Sequence, residues 1–159
     1  MDGSRYAYNC RLDDSIAIPK KIRQPERYSG FVIKLQFCNK VEAPNGDVFG
    51  VLDSFTEVFD IPRQVFIDDD EAMEFLLYIF LLRVQIGESF RYAVIDEALD
   101  FTHSLVNDVT HAGKEILRIL VDVVVRTLQR PNESVQEAIA RASRECAEAA
   151  DRDVCSGEG

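Results

Sequence analysis

Eight consecutive apolar side chains, residues 75–82, follow closely on four consecutive acids, residues 68–71, and this junction constrains the fold more than any other feature. The apolar run is too short to cross a bilayer, because a spanning helix needs roughly 20 apolar residues. Asp68 and Glu71 have the spacing of a capping box, so the acids are expected to start a helix. A helix that is apolar on nearly every side belongs in a core or at an oligomer interface. The sequence therefore predicts a buried helix from Asp68 to about Ile86.

Alternating side chains dominate residues 1–67. Large side chains recur at every second position in two segments, and a period of two is typical of β-strands. These residues are Tyr6, Tyr8, Cys10 and Leu12, followed by Phe31, Ile33, Leu35 and Phe37. Asn45 and Gly46 follow a proline and tolerate positive φ, which favours a tight turn. We therefore expect a hairpin centred on Asn45 and Gly46, with the returning strand or strands over residues 48–61.

A helical period replaces the alternation from Asp68 onward. A second helix is predicted after Gly87, with apolar residues at steps of three and four, namely Phe90, Val94, Ala98, Phe101 and Leu105. Residues 114–130 contain a valine-rich run that would also suit a strand, but their length and interspersed charges favour a third helix. Pro131 ends that helix. Ser134 and Glu137 then form the capping box of a fourth.

The predicted fold class is α+β, because strands and helices occupy separate parts of the chain. A small N-terminal antiparallel sheet, residues 1–67, precedes a bundle of about four helices, residues 68–150. Together they are expected to form a single domain over residues 1–150. Residues 151–159 are small and polar, which predicts a flexible tail.

The net charge of −10 lies entirely in the second half of the chain. Residues 1–67 contain nine Lys or Arg and nine Asp or Glu, whereas residues 68–159 contain nine and nineteen. An acidic surface repels phosphate backbones, so nonspecific binding of nucleic acid is not expected. The one basic cluster is a candidate anion site, and it consists of Lys20, Lys21, Arg23 and Arg27.

The four cysteines indicate a reducing compartment. None of them has the C-x-x-C spacing of a zinc knuckle or redox motif. The first residues lack the basic start and apolar stretch of a secretory signal. We therefore expect a cytoplasmic protein without disulfides and without a membrane span.

Two groups of residues suggest metal chemistry. Asp70, Glu71 and Glu74 precede Glu97 and Asp100, and this spacing resembles the E-E-x-x-E and E-x-x-D pattern of the MazG-like all-α nucleoside triphosphate pyrophosphohydrolases, with Asp70 in place of the first Glu. The resemblance implies that Glu71, Glu74, Glu97 and Asp100 hold Mg²⁺ for nucleotide hydrolysis. A doubled Asp-x-x-His, at His103 and at His111, has the spacing of helical metal ligands. Alternatively, the acids form a helix cap and an exposed acidic surface. The histidines are then solvated or hydrogen-bonded locally.

The function favoured by the sequence is a non-catalytic interaction or assembly protein without a cofactor. The second half has more apolar helix surface than four helices and a small sheet can hide, which predicts self-association, most simply as a homodimer. A basic protein is the expected second kind of partner, because the exterior is acidic. The predicted interface residues are Phe75, Tyr78, Leu82, Leu120 and Val124. The alternative is the metal-dependent pyrophosphohydrolase.

Overall fold

A computed structural model describes residues 5–84, 86–108 and 116–145. One sheet contains strands β1 (Tyr6–Leu12), β2 (Gly30–Glu42), β3 (Val48–Pro62) and β4 (Ile116–Leu128). Helices α1 (Arg63–Asp68), α2 (Glu71–Leu82) and α3 (Glu88–Asn107) lie between β3 and β4 in the chain. Helix α4 follows β4 and covers residues 135–145, up to the last described residue. The predicted tail, residues 151–159, lies outside the described residues.

The sheet is mixed, so the prediction of an antiparallel sheet is wrong. The strand order is β1-β4-β2-β3, in which β1 pairs antiparallel with β4 and β2 pairs antiparallel with β3. The central pair, β2 and β4, is parallel. Strands lie mostly in the first half and helices mostly in the second, but β4 enters the sheet from the second half. The fold class remains α+β.

The third predicted helix, residues 114–130, is also wrong, because residues 116–128 form β4. A strand in the middle of a sheet can be covered on both faces, so its sequence is a nearly continuous apolar run without clear alternation. Leu120 and Val121 illustrate this, since they point to opposite faces and are 4% and 0% exposed. The Ile and Val content of this segment favours a strand, and pairing on both sides outweighs its weak helical pattern.

The predicted hairpin is confirmed. It joins β2 to β3, and β3 returns as one continuous strand. Gly46 has φ of +94°, a conformation that glycine adopts without strain. The amide of Ala43 donates to the carbonyl of Asp47 at 2.8 Å, and the Asn45 side chain accepts from the Asp47 amide at 3.1 Å.

The predicted helix is confirmed as α2, although α2 begins and ends at different residues from those predicted. Asp68 is the last residue of α1 and does not cap α2; the Glu71 amide instead donates to the Asp69 carboxylate at 3.0 Å. The helix ends at Leu82 rather than near Ile86. In α4, the predicted cap is present, since the Glu137 amide donates to the Ser134 hydroxyl at 3.1 Å. Among the described residues, no helix is both long enough and apolar enough to cross a membrane.

Helices α1, α2 and α3 cover one face of the sheet and form the main core with it. The side chains of β2 at this face alternate with those of the other face, as predicted, and they pack against α2 and α3. The largest buried contributors are Phe31, Ile33, Leu35, Phe37, Met73, Leu77, Phe80 and Ile95. Burying each such side chain stabilises the fold by roughly 1.5–3 kcal/mol before entropy is counted.

The opposite face of the sheet is covered at one end by the segment that joins β1 to β2. Ile16 of this segment packs on Val32 and Leu120 in a small second core. Helix α4 packs at the end where β2 and β4 finish, with Ala138 and Ala142 against Val41. Because these alanines are small, the helix approaches the strands closely and forms one wall of a cleft.

Candidate functional site

The outer surface of α2 carries an exposed apolar strip. Phe75, Ile79 and Leu82 follow each other at steps of four and three residues, which places them on one side of a helix. Phe75 is 62% exposed and Leu82 is 49% exposed, whereas Ile79 is half-buried. We call these three residues the α2 strip. The eight-residue apolar run is therefore divided, because Leu77, Phe80 and Leu81 on the inner side are fully buried.

Helices α2 and α3 form a hairpin whose flanks meet beside this strip. The rings of Tyr78 and Tyr92 stack with centroids 6.5 Å apart, near the connection between the two helices. Toward the other end, His103 of α3 lies 2.8 Å from the Asp70 carboxylate, measured from Nε2. These two contacts fix α2 and α3 side by side and antiparallel.

Acidic side chains border the α2 strip along this hairpin. Glu71 and Glu74 lie on the flank of α2 that carries Tyr78, and Asp96 and Asp100 lie on the flank of α3 that carries Tyr92. All four acids are exposed. We call them the acidic border. The surface thus combines large apolar side chains with a row of negative charge.

The four carboxylates with the metal-binding spacing do not converge. Glu71, Glu74, Glu97 and Asp100 are all exposed. Glu97 lies on the side of α3 that faces β1, where its charge, together with the larger effect of burial, raises the pKa of the Cys10 thiol to about 12. Among residues 5–84, 86–108 and 116–145, no three His, Cys, Asp or Glu side chains are placed to hold a metal ion.

Of the two histidines in the doubled Asp-x-x-His, the structure describes His103. His103 contacts Asp70, and its ring packs against Phe66 with centroids 4.6 Å apart. The side chains of His103 and Asp70 are 48% and 34% exposed, as expected of a surface contact between helices. His111 lies outside the described residues.

The predicted interface residues fall on two sides of the molecule. Phe75, Leu82 and the half-buried Tyr78 lie on the outer surface of α2. Leu120 and Val124 lie on β4, on the sheet face that points away from the helices. Leu120 is 4% exposed and packs on Ile16, so a partner cannot reach it in this fold, and Val124 is half-buried. Leu120 was predicted to lie on a helix and lies in β4 instead, whereas the interface itself stays a prediction.

The predicted basic cluster lines a shallow hollow of about 380 Å³. Lys21, Arg23 and Arg27 border this hollow, whereas Lys20 does not. Asp60 lies in the same hollow, where it accepts a hydrogen bond from the Tyr28 hydroxyl at 2.9 Å and pairs with Lys21 at 2.7 Å. Burial and the Asp60 carboxylate together raise the pKa of Tyr28. The hollow therefore has two arginines that could bind an anion, but the Asp60 carboxylate in the same hollow repels anions.

A second, larger cleft was not anticipated from the sequence. It has a volume of about 500 Å³ and lies where the ends of β2 and β4 meet α4 and the residue preceding β1. Four arginines line it, Arg5, Arg126, Arg130 and Arg141, together with Glu42 and Glu145. We call this site the arginine cleft. The available sequence signal was the recurrence of arginine between positions 126 and 144, in a region otherwise poor in basic residues.

The described cysteines do not support nucleophilic chemistry. Cys10 and Cys38 are both free thiols and both partly buried. Burial is the main cause that raises the pKa of each, so both thiols are protonated at neutral pH. Cys146 and Cys155 lie outside the described residues.

Comparison with known proteins does not identify a function for this chain. No protein-family model, no curated protein and no solved structure matches the chain. The resemblance to the MazG-like pyrophosphohydrolases therefore rests on carboxylate spacing alone, and the mixed sheet differs from the all-α architecture that it implies.

Proposed function

We propose that this chain is a non-catalytic interaction protein that binds a partner protein through the outer surface of α2 and α3. The exposure of Phe75 and Leu82 carries the proposal, because both are large apolar residues on a helix whose inner side is tightly packed. Water contact with apolar surface costs roughly 25 cal/mol per Å², so covering the α2 strip would favour binding. Contiguous exposed apolar surface is typical of protein-binding sites.

The acidic border defines the kind of partner that fits. A complementary surface has apolar side chains opposite the α2 strip and lysine or arginine opposite Glu71, Glu74, Asp96 and Asp100. An amphipathic helix meets both needs, since it can place apolar residues at steps of three and four along the strip and basic residues at its edges. The charges would chiefly speed association and exclude acidic competitors.

A second copy of the chain is the other possible occupant, and the sequence predicts it. Two-fold pairing would place one α2 strip against the other. Each copy, however, carries a net charge of −10 and an acidic border beside the strip. These charges oppose close approach of two copies, so the basic partner is favoured over the homodimer.

Binding of designed peptides to the full chain tests the proposal. One labelled helical peptide has leucines at steps of three and four and lysines elsewhere, and its counterpart has glutamates in place of the lysines. The lysine peptide is expected to bind saturably, and more weakly as salt rises above about 0.15 M. The glutamate peptide is not expected to bind. Fluorescence anisotropy measures both.

Matched variants locate the surface. Phe75→Glu with Leu82→Glu is expected to weaken binding of the lysine peptide at least about tenfold, by removing apolar contact. Val65→Glu with Ile67→Glu is the control, because these residues on α1 are 44% and 49% exposed and the charge change is the same. Equal effects of the two double variants would contradict the assignment of the surface.

Analytical sedimentation of the same proteins distinguishes a basic partner from a second copy of the chain as the occupant of this surface. A concentration-dependent dimer that the α2 variant dissociates, without binding of the lysine peptide, would show that the occupant is a second copy. A chain that stays monomeric and binds neither peptide would refute the interaction proposal.

A further inference from the structure

The arginine cleft lies beyond the carboxyl ends of two parallel strands. Glu42 ends β2, and Arg126, Thr127 and Leu128 end β4. The two strands are parallel and adjacent, so their carboxyl ends lie side by side at the same end of the sheet. Helix α4 forms one side of the cleft. In open sheets with parallel strands, ligands commonly bind beyond the carboxyl ends of the strands. A volume of about 500 Å³ also falls within the range of small-molecule sites.

The charge of the arginine cleft opposes that of the chain as a whole. Four arginines and two glutamates line it, and Glu133 binds the lining residue Arg141, so these seven side chains have a net charge of +1 in a protein whose net charge is −10. Both glutamates have cationic partners, since Glu42 pairs with Lys40 at 3.1 Å and Glu145 pairs with Arg5 and Arg141. Arg126 and Arg130 are exposed and make no side-chain hydrogen bond or ion pair with another described residue. The charge of Arg126 is therefore available to an anion, whereas that of Arg130 also acts on the Glu133 carboxylate and helps to lower its pKa.

Arg141 forms a fixed wall of the arginine cleft. Its side chain is 10% exposed, and Nε and Nη2 each donate to a different oxygen of Glu133 at 2.9 Å. Nη2 also donates to the carbonyl of Leu128 at 2.7 Å, which attaches α4 to the end of β4. Hydrogen bonding to Arg141 is the main cause that lowers the pKa of Glu133 to about 2, so this pair stays ionised at neutral pH. Arg141 is therefore held in place by Glu133 and Leu128, and its charge is balanced by that of Glu133.

Thr127 contributes a polar group that lacks a partner among the described residues. The residue is 3% exposed and borders the cleft between Arg126 and Leu128. Its hydroxyl oxygen is buried without a hydrogen bond in the described part of the chain. Buried hydroxyls are nearly always paired, so the Thr127 hydroxyl is an unusual unpaired polar group beside the cleft.

We propose that the arginine cleft binds a small, multiply charged anion with phosphate or carboxylate groups joined to a less polar part. Arg126 and Arg130 hold the anionic groups, because guanidinium donates paired hydrogen bonds to such oxygens. Leu128 and Pro131 border the same cleft and contact the less polar part. The hollow at Arg23 and Arg27 is the weaker candidate, since its cationic side chains lie on an exposed segment beside Asp60.

Calorimetric titration of the full chain tests this site with four probes. Inorganic phosphate and phenyl phosphate represent a phosphate ligand, citrate represents a carboxylate ligand, and sodium chloride at matched ionic strength is the control. Phenyl phosphate is expected to bind more tightly than inorganic phosphate, because it also contacts Leu128 and Pro131. Binding of citrate without either phosphate probe would support the site and identify carboxylate as its ligand chemistry. No binding of any of the three anions would refute it.

Paired variants separate the two basic sites. Arg126→Gln with Arg130→Gln is expected to weaken binding about tenfold or more through loss of charge-assisted hydrogen bonds. Arg23→Gln with Arg27→Gln removes the same charge from the hollow and is expected to leave binding unchanged. Equal losses in the two variants would indicate nonspecific attraction, and a loss confined to the second would place the anion in the hollow. Either result overturns the proposal.

Discussion

Two phenylalanines on α2 provide the strictest test of the orientation on which the interaction surface depends. Phe80 is 1% exposed and packs against Phe55 with ring centroids 5.3 Å apart, whereas Phe75 is 62% exposed on the outer side. Replacing each by alanine makes the same chemical change on the same helix. The two effects therefore differ only through the environment of each side chain.

The expected loss of stability differs strongly between the two variants. Phe80→Ala leaves a cavity beneath α2, and such changes in a core cost about 3–5 kcal/mol. For a domain of this size the melting temperature should fall by roughly 10 °C. Phe75→Ala removes little buried surface and gains helix propensity of about 0.5 kcal/mol, so its unfolding free energy should change by less than about 0.5 kcal/mol.

Urea unfolding followed by far-UV circular dichroism measures both variants against the parent chain. The midpoint of Phe80→Ala should fall while its m-value stays constant, and the midpoint of Phe75→Ala should hardly move. Similar losses in the two variants, or a larger loss for Phe75→Ala, would show that α2 is rotated relative to the sheet. The α2 strip would then not exist.

Three further outcomes are expected. Thr127→Val should raise the unfolding free energy by about 1 kcal/mol in thermal or urea unfolding, because it removes a buried hydroxyl that has no described partner; a loss of stability would mean that the hydroxyl is satisfied in the free protein. The pKa of Glu133 is lowered from 4.5 to about 2 in the folded chain, so its charge stabilises the fold above about pH 4.5, and this contribution is lost as pH falls through 2. Acid titration of Glu133→Gln should therefore show lower stability at pH 7 and a smaller change between pH 4.5 and 2, and an unchanged acid profile would contradict the pairing with Arg141. Millimolar Mg²⁺ should leave the melting temperature unchanged, because no described group of side chains is placed to hold a metal; a saturable rise would contradict this geometry.

The parts of the fold that the sequence predicts correctly are those with local signals. The hairpin depends on Asn45 and Gly46, whose conformational preferences act within four residues. Helix α2 depends on a run of good helix formers whose burial makes it stable. Strand β4 has no local signal of this kind, because its conformation is decided by β1 and β2 on either side. Residues Tyr6 and Val125, which pair in this sheet, are far apart in the chain.

The candidate sites follow the same division. Phe75 and Leu82 belong to one helical segment, and the acids beside them come from that helix and its neighbour in sequence, so the sequence could indicate an apolar and acidic surface. The sequence could not show that Leu120 is buried, because its burial depends on β4 being a strand with both faces covered. The arginine cleft joins Arg5 to Glu145 across nearly the whole chain, and no spacing rule predicts such a contact.

The two proposed sites should act independently, because they are built from different elements and carry opposite charge. The interaction surface uses the outer sides of α2 and α3, whereas the arginine cleft uses α4 and the ends of β2 and β4. A basic peptide and a small anion therefore have no side chain for which they compete. Coupling between them would need a difference in affinity between two conformations of the chain. Saturating phenyl phosphate should leave the affinity for the lysine peptide unchanged within error, and by reciprocity the peptide should not change the affinity for phenyl phosphate. A shift in either direction would mean that the elements carrying the two sites exchange between conformations, and the sites would then have to be treated as one system.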